Sequence, residues 1–304
     1  MDAGLSCLIV GCGYVGTRLA RREADRRPLL ALVRSGRSES SLRAAGIRAS
    51  CIDLDGTPDP ALQPQLAAAA ERAAIIYLAP PPDSGTTDPR LAAFLEQTGA
   101  AQPAVLVYIS TTGVYGDAGG ALVDENTPLA PANDRARRRV AAESTARAWC
   151  TRHELRCVIL RVPGIYGPDR LPLERLQRSE PALHEEESGP GNRIHVDDLV
   201  AAIVAAVDQP SAQGIYNVVD GDHSSTTAYL QLTADAAGLP PPRLLSRAEA
   251  LQRIPPGMLS FLLESRRVDS RRMREELGVR LLYPTLRSGI VASLAEMRQQ
   301  AGPP

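Results

Sequence analysis

Short apolar runs recur along the first half of the chain, each followed by a stretch whose apolar positions repeat every three or four residues. Residues 7–10, 29–33, 48–54, 74–78, 104–109 and 156–161 are runs of the first kind and read as buried strands. Between them, residues 15–27, 40–45, 66–72, 90–101 and 134–153 carry apolar side chains on one side and charges on the other, as helices covering a sheet do. Strands apolar on both faces that alternate with amphipathic helices specify an α/β fold with a doubly wound parallel sheet. Beyond Gly164 the rhythm loosens. Residues 167–192 are rich in Pro, Gly, Glu and Arg; 195–208 and 227–238 read as helices, 214–219 as a strand, and 270–300 holds two more helical stretches. This smaller, irregular region is expected to cap the strand ends, where open α/β sheets bind ligands.

Composition narrows the chemistry. Hydrophobic residues make up 44% and charged residues 23% of the 304 positions, a globular balance. A net charge of −1 provides no field favouring nucleic acid or an anionic membrane, so the expected partner is a small-molecule substrate. Every one of the 34 basic residues is arginine, which excludes Schiff-base and Walker lysines alike. Five scattered cysteines form no CxxC pair and four histidines no HExxH, so reduced cytoplasmic thiols are expected and no metal site. The opening MDAGLSCLIVGCGYVG lacks a basic leader and a long apolar run, so neither an export signal nor a membrane span is expected. No serine stands in a GxSxG turn; Asp124, Glu125 and the 185–187 glutamates read as solvated, Phe94 and Trp149 as core.

Gly11-Cys12-Gly13-Tyr14-Val15-Gly16 closes the first strand and opens the first helix. In that setting Gly11 permits the turn, Gly13 lets a pyrophosphate approach the backbone, and Gly16 allows helix and strand to pack closely. The helix N-terminus adds N–H donors and a positive dipole end. At the close of the second strand, where NAD-specific sites place an acid, the chain reads Val33-Arg34-Ser35-Gly36-Arg37. Arg34 and Arg37 suit a 2′-phosphate through charge-assisted hydrogen bonds, with Ser35 adding another, so NADP(H) is the expected cofactor and NAD(H) the alternative. Residues 1–165 then form a Rossmann NAD(P)-binding domain with a returning segment near 195–220, and 166–304 a smaller substrate-binding region.

Further motifs follow at ordered intervals: Asp53-Leu54, Leu78-Ala79-Pro80-Pro81, the stretch 108–116, the stretch 161–168, Arg193 to Leu199, and the 272–284 ending with its Leu-Gly and Tyr-Pro pairs. Together they resemble an extended short-chain dehydrogenase/reductase of the NAD-dependent epimerase/dehydratase family, in an atypical, YeeZ-like branch. The resemblance implies that Asp53 and Leu54 lie beside the adenine and that Leu78, Ala79 and Pro80 pass the ribose. It also puts Thr111 in the place of the catalytic Ser/Thr, Tyr115 in the substrate pocket, and Pro163, Gly164 and Ile165 along the nicotinamide with Tyr166 nearby. His195, Asp197 and Asp198 are expected to fix a loop-to-helix junction. A homodimer through the helices flanking the fifth strand is implied as well.

One departure is central. The family's Tyr-x-x-x-Lys pair, in which lysine lowers the tyrosine pKa for proton exchange, falls here on Arg135 and Arg139. A guanidinium stays charged near neutrality and is a poor proton donor. Arg139 still suits the ribose, Arg135 an anionic substrate or the helix surface, and Arg137 and Arg138 a solvated face. Three functions remain: an NADP(H)-dependent oxidoreductase with a displaced acid (Tyr166, Tyr115 or a water), a non-catalytic cofactor-binding sensor or scaffold, and a nucleotide-sugar epimerase or dehydratase.

Overall fold

The computed structural model describes residues 5–56, 59–253 and 264–301. Seven strands form one wholly parallel sheet: β1 (Cys7–Val10), β2 (Leu29–Val33), β3 (Ala49–Cys51), β4 (Ala74–Tyr77), β5 (Val105–Thr111), β6 (Arg156–Val162) and β7 (Gly214–Asn217), in the order β7-β6-β5-β4-β1-β2-β3. Apolar side chains pointing both ways make this possible. Ile9, Val105 and Val107 enter a core on one side, and Leu8, Val10, Leu106 and Tyr108 a core on the other. Helices α1 (Tyr14–Glu23) and α6 (Val196–Asp208) supply Leu19, Leu199 and Ile203 to the first core. On the opposite face α3 (Gln63–Ala70), α4 (Pro89–Gln97) and α5 (Asp134–Arg152) supply Leu66, Phe94 and Trp149.

From β1 the chain winds outward to β2 and β3, then returns to β4 on the other side of β1. That reversal opens a crevice at the carboxyl ends of β1 and β4, the position where such sheets take ligands. Over these ends lies the irregular region. Gly164–Tyr166 pairs in parallel with Arg193–His195, and Leu122–Val123 with Arg267–Val268. Tyr166 is packed by α7 (Thr226–Ala237) and α8 (Leu286–Ala301).

Three expectations are corrected by local capping and hydrogen bonding. The strand expected over 48–54 is confined to Ala49–Cys51, because beyond Ile52 the Asp53 carboxylate accepts the Asp55 N–H and turns the chain. The helix expected at 40–45 begins at Gly36, as α2 (Gly36–Ala44), because the Ser35 hydroxyl accepts the Ser38 N–H as its N-cap. Glu125, expected in solvent, is instead an acceptor for the Asn217 N–H at 2.7 Å. Among the described residues no helix is long and apolar enough to cross a membrane, and no cluster of acids, histidines and cysteines is placed to hold a metal ion.

Candidate active site

The glycine turn is built for close approach. Gly11 has φ +88°, and a Cβ there would lie 2.5 Å from the Ala79 nitrogen, so only glycine lets β1 and the β4 loop meet. Gly16 packs likewise, a Cβ there falling 3.1 Å from the Gly11 oxygen and from Leu78. Gly13 differs: it is the N-cap of α1, no side chain caps that helix, no acid stands in its first turn, and a Cβ at Gly13 would meet nothing within 4 Å. The uncapped helix end opens into a cleft of about 560 Å³, and its N–H groups and dipole make it a position that attracts anions.

The glycine turn, Arg34, Ser35, Leu78, Pro80, Thr111, Arg139, Pro163 and Ile165 all line this cleft. Arg37 does not. With the helix starting at Gly36, Arg37 is carried round α2 into solvent, and Ser38 takes the place beside Ser35. Asp53 and Leu54 also lie outside it, Asp53 being engaged in its own turn, and Ala79 sits behind the cleft under Gly11.

A second cleft of about 730 Å³ adjoins the first and shares Pro80, Thr111, Arg139, Pro163, Ile165 and Arg170 with it. Thr111 ends β5 at this junction, its Oγ1 accepting the Gly113 N–H at 3.2 Å. Arg139 donates through Nη1 to the Tyr108 hydroxyl and to the Ile109 carbonyl, so part of its fork is spent fixing α5 to β5. Arg135 lines the second cleft, and so does Arg138. The latter is 7% exposed and donates to the Gly85 carbonyl at 2.7 Å, which corrects the solvated-face expectation; Arg137, paired with Asp134, is the exposed one.

Neither displaced tyrosine reaches the clefts. Tyr115 is buried and donates to Asn217 Oδ1 at 2.7 Å while Arg161 donates to it at 3.0 Å. Burial raises its phenol pKa, despite Arg161, so it is held neutral. Tyr166 sits among Leu286, Ile290 and Leu294 with its hydroxyl against Gly289 and without a hydrogen-bond partner, and burial drives its pKa far above the usual phenol range. Tyr115 ends the 3-10 turn Thr112–Tyr115 and packs with Val123, Val219 and Val268, whereas Tyr166 ends the short strand Gly164–Tyr166 and packs under α7 and α8.

Behind the junction lies a polar core that sequence reading missed. The Glu143 carboxylate accepts from Arg161 Nε and Nη2 at 3.0 and 2.8 Å and from the Ser110 hydroxyl at 2.6 Å, with both Glu143 and Arg161 buried. Such pairing satisfies each charge as it leaves water. Arg170, Arg193 and Arg266 were also missed as lining groups. In a chain without lysine, an arginine in a loop carries no distinguishing signal.

His195 and its neighbours act as expected, as fasteners. His195 Nδ1 accepts the Asp197 N–H to cap α6, and its Nε2 lies 3.1 Å from the Ser293 hydroxyl. Asp197 pairs with Arg18, and Asp198 accepts the Leu282 and Tyr283 N–H groups. Burial lowers the His195 pKa from 6.5 to about 4. The unfolded chain thus takes a proton near pH 6.5 that the folded chain refuses until about 4, so this contribution is complete above 6.5 and is lost as pH falls toward 4. Asp220 works oppositely: burial raises it from 3.8 to about 7, costing stability as pH rises through that range. Denaturation of wild type and His195→Asn at pH 4.5 and 6.5 separates them. The stability advantage of wild type over the variant should grow with pH; an advantage that shrinks would contradict a neutral buried imidazole.

A model of the NAD dependent epimerase/dehydratase family matches residues 7–219, from the first strand through β7. Protein YeeZ of Escherichia coli (strain K12) is 28% identical over 182 residues, 59% of this chain and 58% of YeeZ. A 3-diazoavenalumate denitrifying reductase from a Streptomyces species is 32% identical over 143 residues, 45% of this chain and 47% of that protein. The matched stretches span about half the length of these two relatives. A functionally unknown conserved protein from Silicibacter pomeroyi DSS superposes with a TM-score of 0.82 at 32% identity, covering 96% of this chain and 98% of the other. With well over half of its length matched, glycine turn and parallel sheet included, this chain belongs to the NAD dependent epimerase/dehydratase family.

Proposed function

We propose that the protein is an NADP(H)-dependent reductase of a small carbonyl compound. The observation that carries this is the continuity of the two clefts at Thr111, Arg139, Pro163 and Ile165, where a dinucleotide's reactive end and a substrate carbonyl would meet. When bound, the reduced dinucleotide supplies a hydride with its electron pair and leaves oxidised. As the carbonyl carbon gains that hydride, its C=O electrons move to oxygen. The Thr111 hydroxyl donates to that oxygen, the guanidinium of Arg135, which lines the same cleft, stabilises the developing charge, and water supplies the proton. Family membership supports the cofactor class, and the Streptomyces relative is a reductase by name.

No carboxylate, histidine or tyrosine lines the junction among the described residues, so water serves the carbonyl oxygen as its proton partner. Epimerisation fares worse, since it requires one group both to remove and to return a proton. NADP(H) is preferred over NAD(H) because Arg34, Ser35 and Ser38 stand at the end of β2 where an acid would bind a 2′-hydroxyl. The five unpaired thiols suit a reducing compartment such as the cytoplasm.

Calorimetric titration with NADPH and NADH tests the reading. NADPH should bind more tightly, and Arg34→Ala should cost it on the order of tenfold while sparing NADH, the worth of one charge-assisted contact. Tighter NADH binding would reject the NADP(H) assignment. Binding of NADPH without turnover on any carbonyl would favour the second reading, a cofactor-binding sensor, for which Arg135 and Arg139 at the positions of the proton relay are the specific observation.

A further inference from the structure

We propose that the larger cleft takes a small oxo acid, a carbonyl compound carrying its carboxylate within one or two bonds of the reacting carbon. This deepens the reductase reading and rests on it for the chemistry, while the binding can be measured alone. Among the described residues, Arg135, Arg138, Arg139, Arg170, Arg193 and Arg266 line the cleft against two carboxylates, Asp83 and Glu264, in a chain whose net charge is −1. Glu264 is engaged by Arg266 at 3.0 Å. A concave site lined by one sign of charge concentrates ligands of the other.

Where the charge sits says more than its amount. Arg135, Arg138 and Arg139 occupy the first two turns of α5, the positive end of the helix dipole, where cations are unfavourable. The sole acid in that first turn, Asp134, is engaged by Arg137 at 2.6 Å. Arg138 is nine-tenths buried, and its Nε has no hydrogen-bond partner. An anion at this point answers both costs: it adds counter-charge at the positive end of the helix and brings an acceptor to the buried guanidinium of Arg138. Arg139 and Arg170 line both clefts, as Thr111 does, so the anionic group lies against the reacting carbon. A ligand whose charges are confined to a diphosphate one sugar ring away from that carbon places no anion at the junction where Arg139 and Arg170 stand.

The test is calorimetry on the full chain, with and without NADPH, using 2-oxoglutarate and phenylpyruvate, their neutral esters, and UDP-glucose. The oxo acids should bind and the esters should not. Arg135→Gln should weaken oxo-acid binding by about tenfold or more, the value of a charge-assisted contact. Arg137→Gln, on the same helix but outside the cleft, should leave it unchanged. If Arg135→Gln does not fold, Arg170→Gln, an exposed position on another segment, makes the same measurement. Esters binding as tightly as acids, UDP-glucose binding in place of the oxo acids, or equal effects of the two α5 substitutions would each overturn the inference. NADPH binding without oxo-acid binding rejects this inference alone; oxo-acid binding without NADPH binding rejects the reductase reading and keeps the anion site.

Discussion

Removing the Glu143 carboxylate, as in Glu143→Ala, is expected to cost about 3–5 kcal/mol of folding stability, a large part of what a domain possesses. Glu143 is fully buried, and Arg161 is 2% exposed with two of its nitrogens on that carboxylate. Without Glu143 the guanidinium stays buried with no counter-charge, and the Ser110 hydroxyl loses its acceptor. The cost arises from the stranded partner more than from the bond itself. Replacing both members together, Glu143→Leu with Arg161→Met, should therefore recover most of the loss. Chemical denaturation of the two single variants and the double variant measures this directly. A single-variant loss below about 1 kcal/mol would mean that water reaches the pair and that the network is not sealed.

Gly13→Asp is expected to weaken dinucleotide binding by on the order of a hundredfold or more, since like charges a few ångströms apart repel by several kcal/mol at protein dielectric. The fold should survive. A Cβ at Gly13 meets nothing within 4 Å, and aspartate at the N-cap of α1 would satisfy N–H groups that no side chain now caps. Binding should thus collapse while the melting temperature holds or rises. That combination separates an anion cradle from a merely structural turn. Gly11→Ala should do the reverse, losing stability through its clash with the Ala79 backbone. Unaltered NADPH affinity in Gly13→Asp would remove the basis of the cofactor reading.

Much of the fold was legible because its signals are local. Apolar runs such as residues 7–10 and 74–78 have one stable disposition, buried on both faces between helices. The glycine turn declared itself by its place between a strand and a helix. Element ends were less legible, since they depend on single capping bonds: Ser35 to the Ser38 N–H started α2 four residues earlier than its apolar pattern suggests.

What the sequence determined alone was the parallel α/β sheet, the family, the glycine cradle and the loss of the tyrosine–lysine pair, all written in short contiguous patterns or in residue identity. What only the tertiary structure decided was where long side chains end. Tyr115 and Tyr166, plausible acids by position, turn into the packing behind the cleft, while Arg138, alike in sequence to its exposed neighbour Arg137, is carried inward by one helical step of α5. A strand flips its side chains at every residue and a helix rotates them by about 100°. Whether a charged or phenolic group meets substrate, solvent or core is therefore settled by the elements packed against it, several of which lie more than a hundred residues away in the chain.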